Sequence, residues 1–148
     1  MLPPCLPGFE RINRFWDPGR CCVVAKVMPG EFYISRTNEL ICTVLGSCVS
    51  ACIRDKTAGL GGINHFMLPF DPQSDSTHPA TAAKFGIFAM EQLISQLIHH
   101  GGQQQRLEAK LAGGGKVVQG LGDVGNQNIN FARTYLHELN IPILAEDL

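Results

Sequence analysis

The chain has 148 residues, of which 45% are hydrophobic and 17% charged, and a formal net charge of −1. That length suits one domain and is enough to bury roughly 68–70% of the unfolded surface. A near-neutral charge with no basic stripe argues against nucleic acid or an anionic membrane surface as a partner. No apolar run approaches the roughly 18–20 residues of a membrane span.

The first twenty residues carry four of the nine prolines and read as a proline-rich N-terminal arm (1–20) ahead of a folded domain (21–148). They do not resemble a signal peptide, because no positive charge leads them and Pro3, Pro4 and Pro7 break the apolar residues. A cytoplasmic protein is expected. The six cysteines then read as free thiols, and the lack of a C-x₂-C pair argues against a structural zinc. Neither metal nor cofactor is expected.

In chain order, CVVAKVM (22–28) predicts a strand closed by Pro29-Gly30, and EFYIS (31–35) a short second one. LICTVL (40–45) and CVSACIR (48–54) follow, separated only by Gly46-Ser47, and LGGINHFML (60–68) is a further strand. Residues 69–79 are polar and turn-rich and read as a surface loop. From Ala80 to His100, Phe85, Phe88, Ala89, Leu93, Leu97 and Ile98 recur at helical spacing, predicting an amphipathic helix of about five turns.

RLEAKLAG (106–113) is a strand with Leu107, Ala109 and Leu111 on one face, ended by Gly113-Gly114-Gly115. Asn126 to Asn140 predicts a second helix with Ile129, Ala132, Leu136 and Leu139 on one side, and IPILAED (141–147) a last strand. Together these predict an α/β (α+β) fold. A mixed, largely antiparallel sheet is packed with two main helices in a single layered domain.

Chemistry concentrates at Cys48 and His65, each beside glycines, in L-G-S-C and G-G-I-N-H, and 17 residues apart. An antiparallel return would bring thiol and imidazole together, and a histidine that takes the thiol proton makes a nucleophile. The turn residues Gly46 and Ser47 would supply backbone amides for an oxyanion. The same residues also suit a small buried cysteine and a satisfied polar histidine, so from spacing alone both readings stay open. The glycines of 113–115 and the G-x-G-D-x-G of 120–125 read as turns, since no Gly-Lys-Ser/Thr follows for a phosphate loop. His99 and His100 read as helix-end residues and Glu146-Asp147 as solvated acids.

The blocks TVLGSCVSACIRD (43–55), GLGGINHFMLP (59–69), LEAKLAGGGKV (107–117) and NIPILAEDL (140–148), from about Val23 onward, resemble the CheD family of chemoreceptor glutamine deamidases. The resemblance implies a cofactor-free cysteine hydrolase, a protein-glutamine glutaminase, with Cys48 as nucleophile and His65 as general base. It also implies substrates that are methyl-accepting chemotaxis receptors, with CheC phosphatase as a second partner in some members. Its third catalytic residue is a threonine six positions before the cysteine. Here that position is Cys42, and Thr43 stands one later.

Strand alternation would point Thr43 away from His65. A local bulge realigns Thr43, Cys42 substitutes, or His65 is oriented otherwise. The displaced threonine and a chain that stops where the family's further strands follow also fit a CheD-like binding module that docks on receptors or CheC.

Overall fold

The computed structural model describes residues 1–68, 79–116 and 123–148, so residues 69–78 of the predicted 69–79 loop and residues 120–122 of the 120–125 motif lie outside the described residues. The strands divide into two sheets. β1 (Asn13–Asp17), β2 (Cys22–Lys26) and β4 (Leu40–Cys42) form a three-stranded sheet in the order β1-β2-β4. β3 (Phe32–Ser35), β5 (Val49–Asp55), β6 (Leu60–Asn64), β7 (Leu107–Gly113) and β8 (Ile143–Asp147) form a five-stranded one in the order β3-β6-β5-β7-β8. Pairing is antiparallel except for β2 with β4 and β7 with β8. The α/β class and its mixed sheet are as the sequence predicts.

Period-two alternation decides what the larger sheet buries. Val49, Ala51 and Ile53 of β5 and Leu107, Ala109 and Leu111 of β7 are at most 2% exposed. α1 (Pro79–His99) covers β3, β5 and β6, and α2 (Val124–Glu138) covers β5 and β7. The predicted stripe of α2 is correct through Ile129, Ala132 and Leu136. Each fully buried leucine contributes roughly 1.5–3 kcal/mol relative to exposure. Among the described residues no helix is long and apolar enough to cross a membrane.

Three expectations need correcting. First, α1 is rotated about its axis from the predicted stripe. Met90, Leu93, Ile94 and Leu97 are buried, whereas Phe85, Phe88 and Ile98 are 60%, 59% and 41% exposed. Gly86 lies on the inner face instead, directly against the Phe131 ring, where a Cβ would collide. The small residue lets the two helices meet.

Second, the proline-rich start is not loosely packed. It contributes β1 and inserts Phe9, 5% exposed, edge-on between Phe32 and Tyr33. Third, Gly46-Ser47 does not join neighbouring strands. β4 and β5 belong to different sheets, and residues 43–48 carry the chain between them.

The sheets are locked together by a buried ion pair, Arg14 of β1 to Glu39 at 2.8 Å, with the Tyr33 hydroxyl also donating to Glu39. A second pair joins Arg106 to Asp55, whose carboxylate also accepts the Ala58 and Gln103 N–H groups. The terminal acids are not simply solvated: Glu146 pairs with Arg133 at 2.6 Å.

Candidate active site

β4 pairs with β2 only as far as Lys26–Cys42, so the chain leaves the sheet at Thr43. Released from strand alternation, the Thr43 side chain turns back. Its Oγ1 lies 2.7 Å from the Val27 carbonyl and 2.7 Å from His65 Nδ1. Cys42, by contrast, is exposed. Thr43, not Cys42, meets the imidazole, and the cause is the end of a strand rather than a bulge.

Cys48 and His65 are brought together from the other side. Val49 and Phe66 form an antiparallel bridge, with N–H to O distances of 2.9 and 3.0 Å. Cys48 and His65 each precede one residue of that bridge, which makes them diagonal neighbours on one face. The predicted antiparallel return therefore exists. His65 is also pinned through its backbone, donating to the Glu31 carbonyl at 3.1 Å and accepting from Gly30 N–H at 2.9 Å. Next to it, Asn64 replaces a ladder bond with its side chain, accepting the Ala51 N–H at 2.9 Å.

The proton positions follow from the donors available. A carbonyl only accepts, so the single Thr43 hydroxyl proton goes to Val27. The second contact must then run from His65 Nδ1–H to Thr43 Oγ1. That fixes the tautomer and leaves Nε2 unprotonated, the state a general base requires.

Burial pushes the His65 pKa down, keeping the ring neutral, and pushes the Cys48 thiol up, an effect its own backbone N–H only partly offsets. The resting pair is therefore neutral thiol and neutral imidazole.

Both side chains line a cavity of about 300 Å³ whose walls are otherwise largely apolar, including Phe66, Met67, Phe85 and Phe88. A larger groove of about 490 Å³ passes Cys52 but has no histidine on it. Among the described residues no three His, Cys, Asp or Glu side chains cluster as metal ligands.

The turn that carries Cys48 is held at each carbonyl. Gly115 N–H donates to Gly46 O at 2.8 Å, Asn128 Nδ2 to Ser47 O at 2.8 Å, and Gly114 N–H to Cys48 O at 2.8 Å. Gly113, at φ 105°, lies so close that a Cβ would strike the Cys48 carbonyl oxygen. At Gly125 a Cβ would strike the Gly114 carbonyl, so α2 packs onto the triple glycine only because that position is bare.

Sequence reasoning named Cys48, His65, Thr43, Gly46 and Ser47; the structure sets Thr43 against His65, puts Cys48 and His65 on one cavity, and carries Gly46 and Ser47 in the turn just before Cys48. That reasoning missed Gly113–Gly115 and Asn128. The overlooked signal was a polar residue at 128, four and eight positions before the buried Ala132 and Leu136, on the apolar stripe.

The family model "CheD chemotactic sensory transduction" matches residues 67–148. Three bacterial proteins, each called "Probable chemoreceptor glutamine deamidase CheD", are similar along nearly the whole chain. That of Halorhodospira halophila is 52% identical over 151 residues, covering 99% of this chain and 70% of its own length. That of Methylobacillus flagellatus is 47% identical over 139 residues, covering 92% and 68%. That of Saccharophagus degradans is 43% identical over 156 residues, covering 99% and 70%. The similarity therefore extends into the first twenty residues, which the resemblance read from motifs had left out.

Proposed function

The chain belongs to the CheD family, and from that starting point we propose that it is a cysteine amidohydrolase acting on glutamine side chains of methyl-accepting chemotaxis receptors. The products are glutamate and ammonia, the site of action is the cytoplasm, and no cofactor takes part. The supporting observation is the hydrogen-bond chain Val27 O, Thr43 Oγ1, His65 Nδ1, which leaves Nε2 free as a base beside Cys48.

In this mechanism His65 Nε2 accepts the Cys48 thiol proton as sulfur attacks the carboxamide carbon. The N–H groups of Ser47 and Cys48 receive the tetrahedral oxyanion, where one such donor contributes roughly 2.7–4 kcal/mol to the transition state. The imidazolium returns its proton to the departing nitrogen, releasing ammonia and leaving a thioester. His65 then removes a proton from water as the water attacks the thioester carbon, and the C–S bond breaks as the imidazolium returns that proton to the Cys48 sulfur, releasing glutamate and restoring the resting pair.

CheC is proposed as a second partner, one that would compete for the cavity at Cys48. The deamidase reading is tested by ammonia release from a receptor cytoplasmic fragment together with acid trapping of the thioester. Wild type is expected to yield both and Cys48→Ser neither. Ammonia release at the wild-type rate from Cys48→Ala would contradict the assignment.

A further inference from the structure

We propose that Asn128 is a positioning residue that sets the oxyanion-binding face of the nucleophile turn. This rests on the deamidase reading above, because an oxyanion forms only in acyl transfer. Asn128 is 0% exposed and sits near the start of α2. Its Nδ2 donates to the Ser47 carbonyl at 2.8 Å, and its Oδ1 accepts the Leu68 N–H at 2.9 Å. One amide thus ties the turn carrying Cys48 to the segment that follows His65.

The peptide bonds of the turn are trans, so each N–H points opposite to the carbonyl of its own peptide unit. The Gly46 and Ser47 carbonyls are both drawn toward the junction of β7 and α2, one by Gly115 N–H and the other by Asn128. The N–H groups of Ser47 and Cys48 are thereby turned the other way. Among the described residues no oxygen accepts from the Ser47 or the Cys48 N–H; the Cys48 N–H meets only its own sulfur. Two adjacent amides with no oxygen acceptor, beside that sulfur, form the arrangement that stabilises a tetrahedral oxyanion.

Of the two anchors, the glycine amide is backbone. The anchor on the Ser47–Cys48 peptide, the unit carrying the Cys48 N–H, is a side chain. An apolar residue would pack at position 128 as Ile129 and Ala132 do nearby, and burying an amide is costly unless it is fully paired. Here both ends are paired, and both partners belong to the catalytic segments.

The test uses Asn128→Asp and Asn128→Ala. Asp keeps the acceptor for Leu68 but sets an oxygen against the Ser47 carbonyl. Ala leaves a hole rather than a buried charge, and carries the test where the Asp variant does not fold. Each variant shown folded by circular dichroism is assayed for kcat and KM on a receptor fragment and for the rate of Cys48 alkylation by iodoacetamide. Alkylation is a direct displacement with no oxyanion, so at a pH high enough to ionise the thiol fully, misaimed amides leave it unchanged.

The expected result is a kcat about 10²-fold lower, the size of loss that a misplacement of about 1 Å produces, with KM and alkylation at wild-type values. Wild-type kcat in a folded variant overturns the proposal, as does a parallel loss of alkylation, which would mean that the site had collapsed. A wild type that alkylates but does not deamidate overturns the deamidase reading, and this proposal with it.

Discussion

Thr43 Oγ1 and His65 Nδ1 lie 2.7 Å apart, and the threonine proton is committed to the Val27 carbonyl at 2.7 Å. The hydroxyl is therefore an acceptor for the imidazole, and one tautomer of His65 is selected. Thr43→Val keeps the shape and removes the acceptor. It should lower kcat roughly 10²-fold with little change in KM, and Thr43→Ser should restore most of the rate. Cys42→Ala, at an exposed position, should leave kcat unchanged and shift stability by no more than about 0.5 kcal/mol. Steady-state kinetics of the three variants checks both halves.

The neutral pair has a recognisable pH signature. Burial lowers His65 from 6.5, so the acid limb of kcat/KM, where the base becomes protonated, should lie below pH 6.5. Burial raises the Cys48 thiol from 9.0, so its alkylation should rise only above pH 9, unlike the low-pH reactivity of a thiolate–imidazolium pair. An iodoacetamide rate profile with a midpoint well below pH 8 would contradict this description of the pair.

Glu39 holds the two sheets together. Burial alone would raise its pKa, but hydrogen bonds from Ser35, Tyr33 and Arg14 bring it below 4.5. A depressed carboxylate stabilises the fold above its unfolded pKa and loses that contribution as pH falls through the folded one. Thermal midpoints should therefore drop on acidification below about pH 4.5. Glu39→Ala, which strands Arg14 with its side chain 8% exposed, should cost about 3–5 kcal/mol at neutral pH by urea denaturation and flatten that dependence.

Gly113→Ala tests the backing of the turn. It forces a Cβ onto the Cys48 carbonyl oxygen at a φ of 105°. Roughly 1–3 kcal/mol of strain is expected, with activity falling further than stability because the displaced atom belongs to Cys48. Gly59→Ala, at φ 67° with open space around it and away from the Cys48–His65 cavity, should cost stability alone. Melting curves and deamidation rates on the same preparations separate the two effects.

Much of this was legible in the sequence where local pattern and burial agree. Leu107, Ala109 and Leu111 alternate as a buried strand must, and α2 presents its stripe as read. What failed depended on contacts between distant segments. NRFWD at 13–17 has no apolar alternation, and pairing with β2 makes it a strand. Phe85 and Phe88 match the helical period as well as Met90 and Ile94 do. Only the approach of Phe131 to Gly86 decides which face turns inward.

The site was readable at Cys48 and His65 because chemistry-bearing residues beside glycines stand out. Thr43 was named only through the resemblance, against an alternation argument that assumes a strand which in fact ends at Cys42. That end is set by where pairing with β2 stops. Asn128 looked like an ordinary polar helix residue until its two partners, 81 and 60 positions away in the chain, were in place.

Mass spectrometry of a purified receptor cytoplasmic fragment, incubated with wild type or with Cys48→Ala, addresses the central claim most directly. With wild type, a glutamine-containing peptide should gain the mass of an amide-to-acid conversion, and with Cys48→Ala it should not. An unchanged peptide after incubation with folded, receptor-bound wild type would contradict the account.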